Sequence, residues 1–393
     1  MNTSVSFPPP HPKAEPVLSG SRYVLAGAGI TLGLWFLAQD GSANRSLLFA
    51  IGLGLGAALY FGAFGFAAAY RNAFVRRDVS GILAQIVMIG LATILFAPVL
   101  AQGQAGGAWA PIGVQVAAGS FLFGVGMQIG GACASGTLFS IGGGNLRMIL
   151  TLLFFCLGAF LGSLHLHWWA QLPDWGTQSL GHLLGWPGAV IFQIGVLVIL
   201  FIWVRQKGRG YPQTGVWQAG LSFKSFMTGP WPFLLSAIVL ALLNWATLLV
   251  ADHPWTVTWA FTLWGAKLMQ VVGWDATTNL FWTSPFQVQA LENSIWADTT
   301  SLMNIAVLVG AFTAAFVANR LCFRFDLSFK SFAASLIGGL LMGYGARLAY
   351  GCNIGALFSG MASTSLHAWL WLVCAMVGTV VGVWLRPIFG LSR

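Results

Sequence analysis

Ten runs of 16–24 mostly apolar residues recur along this 393-residue chain, at 23–38, 46–69, 80–100, 112–130, 147–166, 188–204, 231–250, 299–318, 331–349 and 366–386. A helix crossing a bilayer needs about 20 such residues, and in lipid every main-chain polar group must be bonded within the protein. The expected fold class is therefore an all-α polytopic membrane protein with about ten spanning helices. Only 7% of the residues are charged and 57% are hydrophobic, against roughly 25% charged in soluble domains. The mean hydropathy of +0.79 excludes a soluble enzyme. The net charge of +9 does not point to nucleic acid, because the bases sit in short loops between apolar runs, where they set topology.

Those loops orient the chain. Arg71, Arg76 and Arg77 follow the second run, and Arg205, Lys207, Arg209 and Lys224 follow the sixth. Arg320, Arg324 and Lys330 precede the ninth, and Arg386 and Arg393 close the chain. The positive-inside rule makes all four clusters cytoplasmic. Residues 101–111, 167–187 and 251–298 hold few bases but carry Asp174, Asp252, Asp275, Glu292 and Asp298, and belong outside. A further apolar piece, 256–272, contains Lys267. Counting it as a crossing would put the Arg320 cluster on the wrong side, so it reads as re-entrant or peripheral. Both termini then face the cytoplasm, and residues 1–20, polar and proline-rich, read as a disordered tail with no cleaved signal.

The chain also repeats itself. GVGMQIGGACASGTLFS at 124–140 and GYGARLAYGCNIGALFS at 343–359 match at Gly124/Gly343, Gly126/Gly345, Cys133/Cys352, Gly136/Gly355, Leu138/Leu357, Phe139/Phe358 and Ser140/Ser359, a constant offset of 219. Glycines break helices, and in lipid the freed backbone must be buried or line a cavity. The run into the first copy begins outside and the run into the second begins inside. This makes an inverted repeat of two halves, 21–187 and 188–393, whose glycine-broken segments meet near the midplane.

Each copy sets one cysteine among glycines: Gly131, Cys133 and Gly136 in the first, Gly351, Cys352, Asn353 and Gly355 in the second. Packing favours small residues at helix crossings, but packing alone would not ask for cysteine twice in one register. Desolvation disfavours a thiolate, and a neutral S–H is a weak donor with a soft, polarizable sulfur. That suits a passing sulfur anion, which turned main-chain N–H groups would also attract. Arg347, five residues before Cys352, either binds the anion or snorkels to the boundary. Lys267 either draws anions to the outer mouth or reaches headgroups. Gln128, Ser135, Thr137, Ser140 and Ser359 are candidate polar lining or helix-to-helix hydrogen bonds. Cys156 and Cys374 lie in continuous apolar runs and read as packing, and Cys322 lies in a basic loop. His165 and His167, two apart, point different ways on a helix. With no nucleotide loop, metal motif or proton relay, the reading calls for no cofactor, no metal and no catalytic residue.

The chain resembles the YeeE/YedE sulfur-transport family of bacterial inner-membrane proteins, through GxGxxxxxxCxxGTLFS at 124–140, GARLAYGCNIGALFSG at 345–360, SLHAW at 365–369 and the basic loop after Phe66. The resemblance implies an hourglass-like inverted repeat that takes up thiosulfate or a related sulfur anion, relayed through S–H contacts at Cys133 and Cys352. It also implies a small cytoplasmic sulfur-carrier protein as a partner. Family members often carry a third cysteine in an FCF-type stretch, where this chain has Phe64-Gly65-Phe66. The alternatives are a membrane sulfur-transfer or signalling subunit that forms a cysteine persulfide, a transporter of selenium compounds, and a non-sulfur anion channel.

Overall fold

The structure is a computed structural model that describes residues 43–208, 222–324 and 328–393. The N-terminal tail, the run at 23–38 and part of the basic loop after the sixth run lie outside these residues. Among the described residues, nine helical stretches are long and apolar enough to cross a membrane. In chain order the helices are α1 (Ala43–Phe61), α2 (Phe66–Arg76), α3 (Ser80–Ala101), α4 (Val114–Gly130), α5 (Ala134–Gly142), α6 (Arg147–Trp169) and α7 (Leu180–Lys207). They continue as α8 (Phe223–Thr228), α9 (Phe233–Ala251), α10 (Thr258–Val271), α11 (Pro285–Glu292), α12 (Thr299–Val317) and α13 (Phe329–Leu348). A π-helical turn (Asn353–Ser359), α14 (Gly360–Ala362) and α15 (His367–Leu385) complete the chain.

One run is broken where the sequence reads as a single crossing. The stretch 46–69 is not one helix: α1 stops at Phe61 and α2 starts at Phe66. Ala63 between them takes a positive φ of 43°, a conformation disfavoured for a residue with a Cβ. Glycines on both sides, Gly62 and Gly65, give the chain room to turn there. Arg71, read as part of the loop, therefore lies inside α2 and is buried.

Glycine seams set the helix directions. On α4, Gly119 packs against Gly345 and Ala349 of the α13 end while Gly126 packs against Gly338 and Met342, so α4 and α13 run antiparallel. Gly158 of α6 meets Leu340 and Gly162 meets Tyr344, so α6 runs parallel to α13. Gly124 of α4 meets Ala375 and Gly382 of α15 meets Gln128, so that pair is parallel as well. α12 is parallel to α1 (Gly52 at Met303, Gly56 at Ala311), and α9 is antiparallel to it (Gly54 at Leu243, Gly62 at Ser236). Small residues permit these backbone approaches, which supply the dispersion and polar contacts that hold helices together in lipid. Exchanging α1 with α9, α3 with α12, α4 with α13 and α6 with α15 maps the packed pairs α1–α12 and α4–α15 onto α9–α3 and α13–α6. α3 and α12 begin at Ser80 and Thr299, 219 residues apart.

Because α9 and α12 run in opposite directions, the connection between them starts and finishes at one end of the bundle. The fourteen-residue α10 lies in that connection and does not carry the chain across, which agrees with the sequence reading of 256–272.

The connections sort into two groups by their contacts. At one end, β1 (Pro111–Gly113) pairs antiparallel with β2 (Asp174–Thr177). At the same end Gly106 donates to the Asp252 carbonyl (2.8 Å) and Leu180 to the Thr364 carbonyl (2.8 Å). At the other, Trp231 donates to the Phe61 carbonyl (2.8 Å), and Leu146 to that of Arg324 (2.9 Å). The first end carries Asp174 and Asp252, and the second carries Arg320 and Arg324. α7 lies at the edge, with Ile191 75% exposed and only a few side chains buried. Its buried Gln193 ties it inward, donating to Thr93 Oγ1 (2.7 Å) and the Met361 carbonyl (2.6 Å), the kind of polar link that joins helices in lipid.

Candidate functional site

The two repeated motifs build the same local device. α4 ends in Gly131 at φ 92°, after which the chain passes through Cys133 in extended conformation (φ −86°, ψ −174°) and enters α5. α13 ends at Leu348, Tyr350 and Gly351 take φ of 57° and 153°, and Cys352 is again extended (φ −106°, ψ −163°) before the π-helical turn. A Cβ on Gly351 would stand 2.6 Å from the Ala356 nitrogen, so both conformation and space call for glycine. Each cysteine thus occupies the residue just before a short buried helical segment, where main-chain N–H groups are left without intrahelical partners.

Both thiols are buried, at 1% and 0% exposure, and they lie within electrostatic reach of each other. The Cys133 sulfur faces the main-chain N–H groups of Gly136 and Phe66 and lies 3.6 Å from Ser135 Oγ. Ile354 N–H points to the Cys352 sulfur at 3.4 Å, with Gly355 N–H also in reach. Gly136 leaves space beside its thiol: a Cβ there would sit 3.3 Å from Cys133 Sγ. Gly355 plays a different part, since its Cβ would meet Thr256 Oγ1 at 3.1 Å. Between the motifs, Asn353 Nδ2 donates to the Tyr70 hydroxyl at 3.4 Å, and Asn353 Oδ1 is buried without a partner among the described residues. Tyr70 lies near enough to Cys133 for their charges to interact. Cys352, Asn353, Tyr70 and Cys133 therefore share one neighbourhood where the two copies approach each other. Chemically it offers two soft sulfurs, main-chain N–H groups beside them and one amide.

The other sequence candidates separate. Ser359 accepts from Asn244 Nδ2 (3.2 Å) and donates to the Trp255 carbonyl (2.8 Å), and Gln128 donates to the Ala67 carbonyl (3.0 Å). Both bind helices together. Thr137 bonds back to the Cys133 carbonyl (2.9 Å), and Ser140 is half-buried near the end of α5. Arg347 lies over the Phe281 ring at 4.4 Å, and its Cβ faces Gly162 of α6. Lys267 donates to the carbonyls of Leu291 and Asn293, both at 2.7 Å, and so caps α11. Burial holds its ammonium below the usual lysine range, with Asp298 acting in the opposite direction. Cys156 is buried on α6, while Cys322 and Cys374 are half-exposed. His165 meets the Tyr344 hydroxyl (3.0 Å) and His167 meets Gln171 (3.2 Å), away from each other.

Gly65, where the resemblance implies a third cysteine, precedes α2 at φ −102° and ψ 117°, open to any residue. A Cβ there would touch only Ala68 Cβ at 3.7 Å and the Ala63 carbonyl at 3.9 Å, so a side chain has room. Tyr70 was not singled out from the sequence. Only the fold brings it to Asn353, 283 residues away.

Residues 61–381 match the family model described as Sulphur transport. The chain is 36% identical to the probable transporter YedE of Escherichia coli over 137 residues, which is 34% of this chain and 33% of YedE. It is 28% identical to the thiosulfate transporter TsuA of Spirochaeta thermophila over 68% of this chain and 76% of that one. To the thiosulfate transporter TsuA of Escherichia coli it is 24% identical over 84% of this chain and 90% of the relative.

Proposed function

We propose that this chain, which belongs to the Sulphur transport family, takes up thiosulfate or a closely related sulfur anion across the bacterial inner membrane, passing it between Cys352 and Cys133. The observation that carries this reading is the approach of the two repeat cysteines to within electrostatic reach of each other, each buried ahead of a short helical segment, with an Asn353–Tyr70 hydrogen bond nearby. The name of the TsuA relatives supports the substrate. Transport here is contact without covalent exchange. The S–H of Cys352 donates to the terminal sulfur of the anion, neighbouring N–H groups share its charge, and the anion then moves to the S–H of Cys133. Neutral thiols fit this task, because a thiolate would repel the substrate.

The inverted repeat belongs to the same proposal. It is supported by the antiparallel run of α4 against α13 and by the exchange of packed pairs between the halves. So does the orientation: the bundle end carrying Arg320 and Arg324 faces the cytoplasm, by the positive-inside rule. A small sulfur-carrier protein with its own reactive cysteine would receive the anion there.

The test is uptake of labelled thiosulfate in a host lacking its own systems, normalised to folded protein. Cys133→Ala and Cys352→Ala should each abolish uptake, and Cys156→Ala, Cys322→Ala and Cys374→Ala should retain it. Full uptake by the Cys133→Ala, Cys352→Ala double variant would overturn the thiol path. A persulfide on Cys133 or Cys352 in purified protein, without uptake, would favour the sulfur-transfer reading.

A further inference from the structure

The break between α1 and α2 opens a cavity of about 90 Å³, lined among others by Gly65, Arg71, Asn72, Asp78, Gln85 and Phe233. That is room for roughly three waters, or for one small tetrahedral oxyanion. Arg71 is only 7% exposed, yet among the described residues its guanidinium has no hydrogen-bond or ion-pair partner. The charged groups that act on it, Arg76 and Arg386, are cations too. Gln85, 4% exposed, also has no side-chain partner among the described residues. By contrast Arg386 gives Nη1 to the Gln128 carbonyl, and Arg147 gives Nη2 to the Gly130 carbonyl (2.9 Å). Asp78 lines the same cavity without forming an ion pair to Arg71, so the guanidinium faces the cavity unpaired, and a guanidinium with a neighbouring amide matches an oxyanion in shape and donor geometry. The cavity also lies beside the thiol path, since Gly65 is followed directly by Phe66, whose N–H faces Cys133.

We infer that this cavity is an oxyanion-binding station beyond Cys133, with the Arg71 guanidinium as its charge and the Gln85 and Asn72 amides as neutral donors. Its ligand class is the small sulfur oxyanion, thiosulfate and sulfate alike, held by its oxygens and not by a thiol contact. Asp78 shares the cavity, with Oδ1 bound to Ser80 N–H (3.1 Å), and its repulsion keeps the hold weak enough for release. The placement of the station on a route rests on the transport reading, and its binding of anions does not.

The experiment uses the purified full chain carrying Cys133→Ser and Cys352→Ser, with equilibrium binding of labelled thiosulfate and labelled sulfate. Both anions should still bind. Adding Arg71→Gln should weaken both about tenfold or more, with Arg71→Lys recovering part of the loss. Gly65→Leu, which fills the cavity and leaves Arg71 in place, should do the same and decides the matter if Arg71→Gln does not fold. Absence of binding in the double cysteine variant, or unchanged binding in both Arg71→Gln and Gly65→Leu, would overturn the station. Binding that persists while wild-type protein fails to take up thiosulfate would overturn the transport reading and leave the station standing.

Discussion

Gly136→Ala separates function from folding at the thiol path. Gly136 lies in α5, where alanine favours the helix by about 0.5–1 kcal/mol over glycine. The added Cβ would stand 3.2 Å from Ala132 Cβ and 3.3 Å from Cys133 Sγ, tight enough to displace the thiol by a few tenths of an ångström. Overpacking of this kind costs about 1–3 kcal/mol. In the resting protein the helix gain offsets part of that cost, so the amount of folded protein and its unfolding temperature should change little. During passage the anion needs the space the methyl takes, and the full cost falls on the barrier. A barrier raised by about 1–3 kcal/mol slows transport about 5- to 150-fold. The assay is the initial rate of labelled thiosulfate uptake per folded protein, beside a thermal unfolding curve of the same variant. Gly355→Ala is the comparison: its Cβ meets the Thr256 side chain, which can turn aside, so the loss should be smaller. A Gly136→Ala rate within twofold of wild type, at equal folded protein, would refute the claim that substrate passes beside this thiol.

Gly338→Ala should fail at folding, since its Cβ would lie 2.6 Å from Gly130 Cα with no side chain to give way. Folded yield and unfolding temperature measure this, and a wild-type yield would refute the tight α4–α13 seam. Lys267→Met removes two charge-assisted bonds to the end of α11 and should destabilise that region by about 1–2 kcal/mol. Faster proteolysis within 272–298 with uptake kept within twofold is expected, and a tenfold loss of uptake at unchanged stability would make Lys267 an anion contact instead. Cys322, half-exposed after α12, should react with a membrane-impermeant maleimide in inside-out vesicles and not in intact cells, while buried Cys133 and Cys352 resist in both. Labelling of Cys322 in intact cells would reverse the orientation.

Much of the architecture was legible because lipid imposes length and apolarity on every crossing. The described spans fall within a few residues of the apolar runs, except α7, which begins at Leu180, eight residues before its run. The non-crossing of 256–272 was legible from charge alone. The break at Gly62–Gly65 was not, because α1 already holds Gly52, Gly54 and Gly56, which serve helix packing, so another glycine gave no distinct signal. Arg71 was read as loop for the same reason, and its burial needed the break to be known. The two cysteines stood out through repetition. The Asn353–Tyr70 hydrogen bond near them did not, because those two residues are brought together by the way α2 folds back. Lys267 had two open readings, anion attraction and headgroup contact, and the structure adds a partner that neither named, the carbonyls at the end of α11.

The α4–α13 seam has a mechanical consequence. Gly119, Gly126, Gly338 and Gly345 bring the two backbones so close that each main chain fills the groove of the other. Two rods meshed in this way resist axial slip, because sliding by even a fraction of a turn would drive carbonyls into neighbouring Cα atoms. The centre of this protein is therefore a fixed axle. Whatever movement admits a substrate must be borne by the pieces attached to its ends: the short segments after Cys133 and Cys352 and the broken arms α1–α2 and α9–α10. A carrier built this way would open by small local rearrangements in turn at each end, with no large swing of one half against the other.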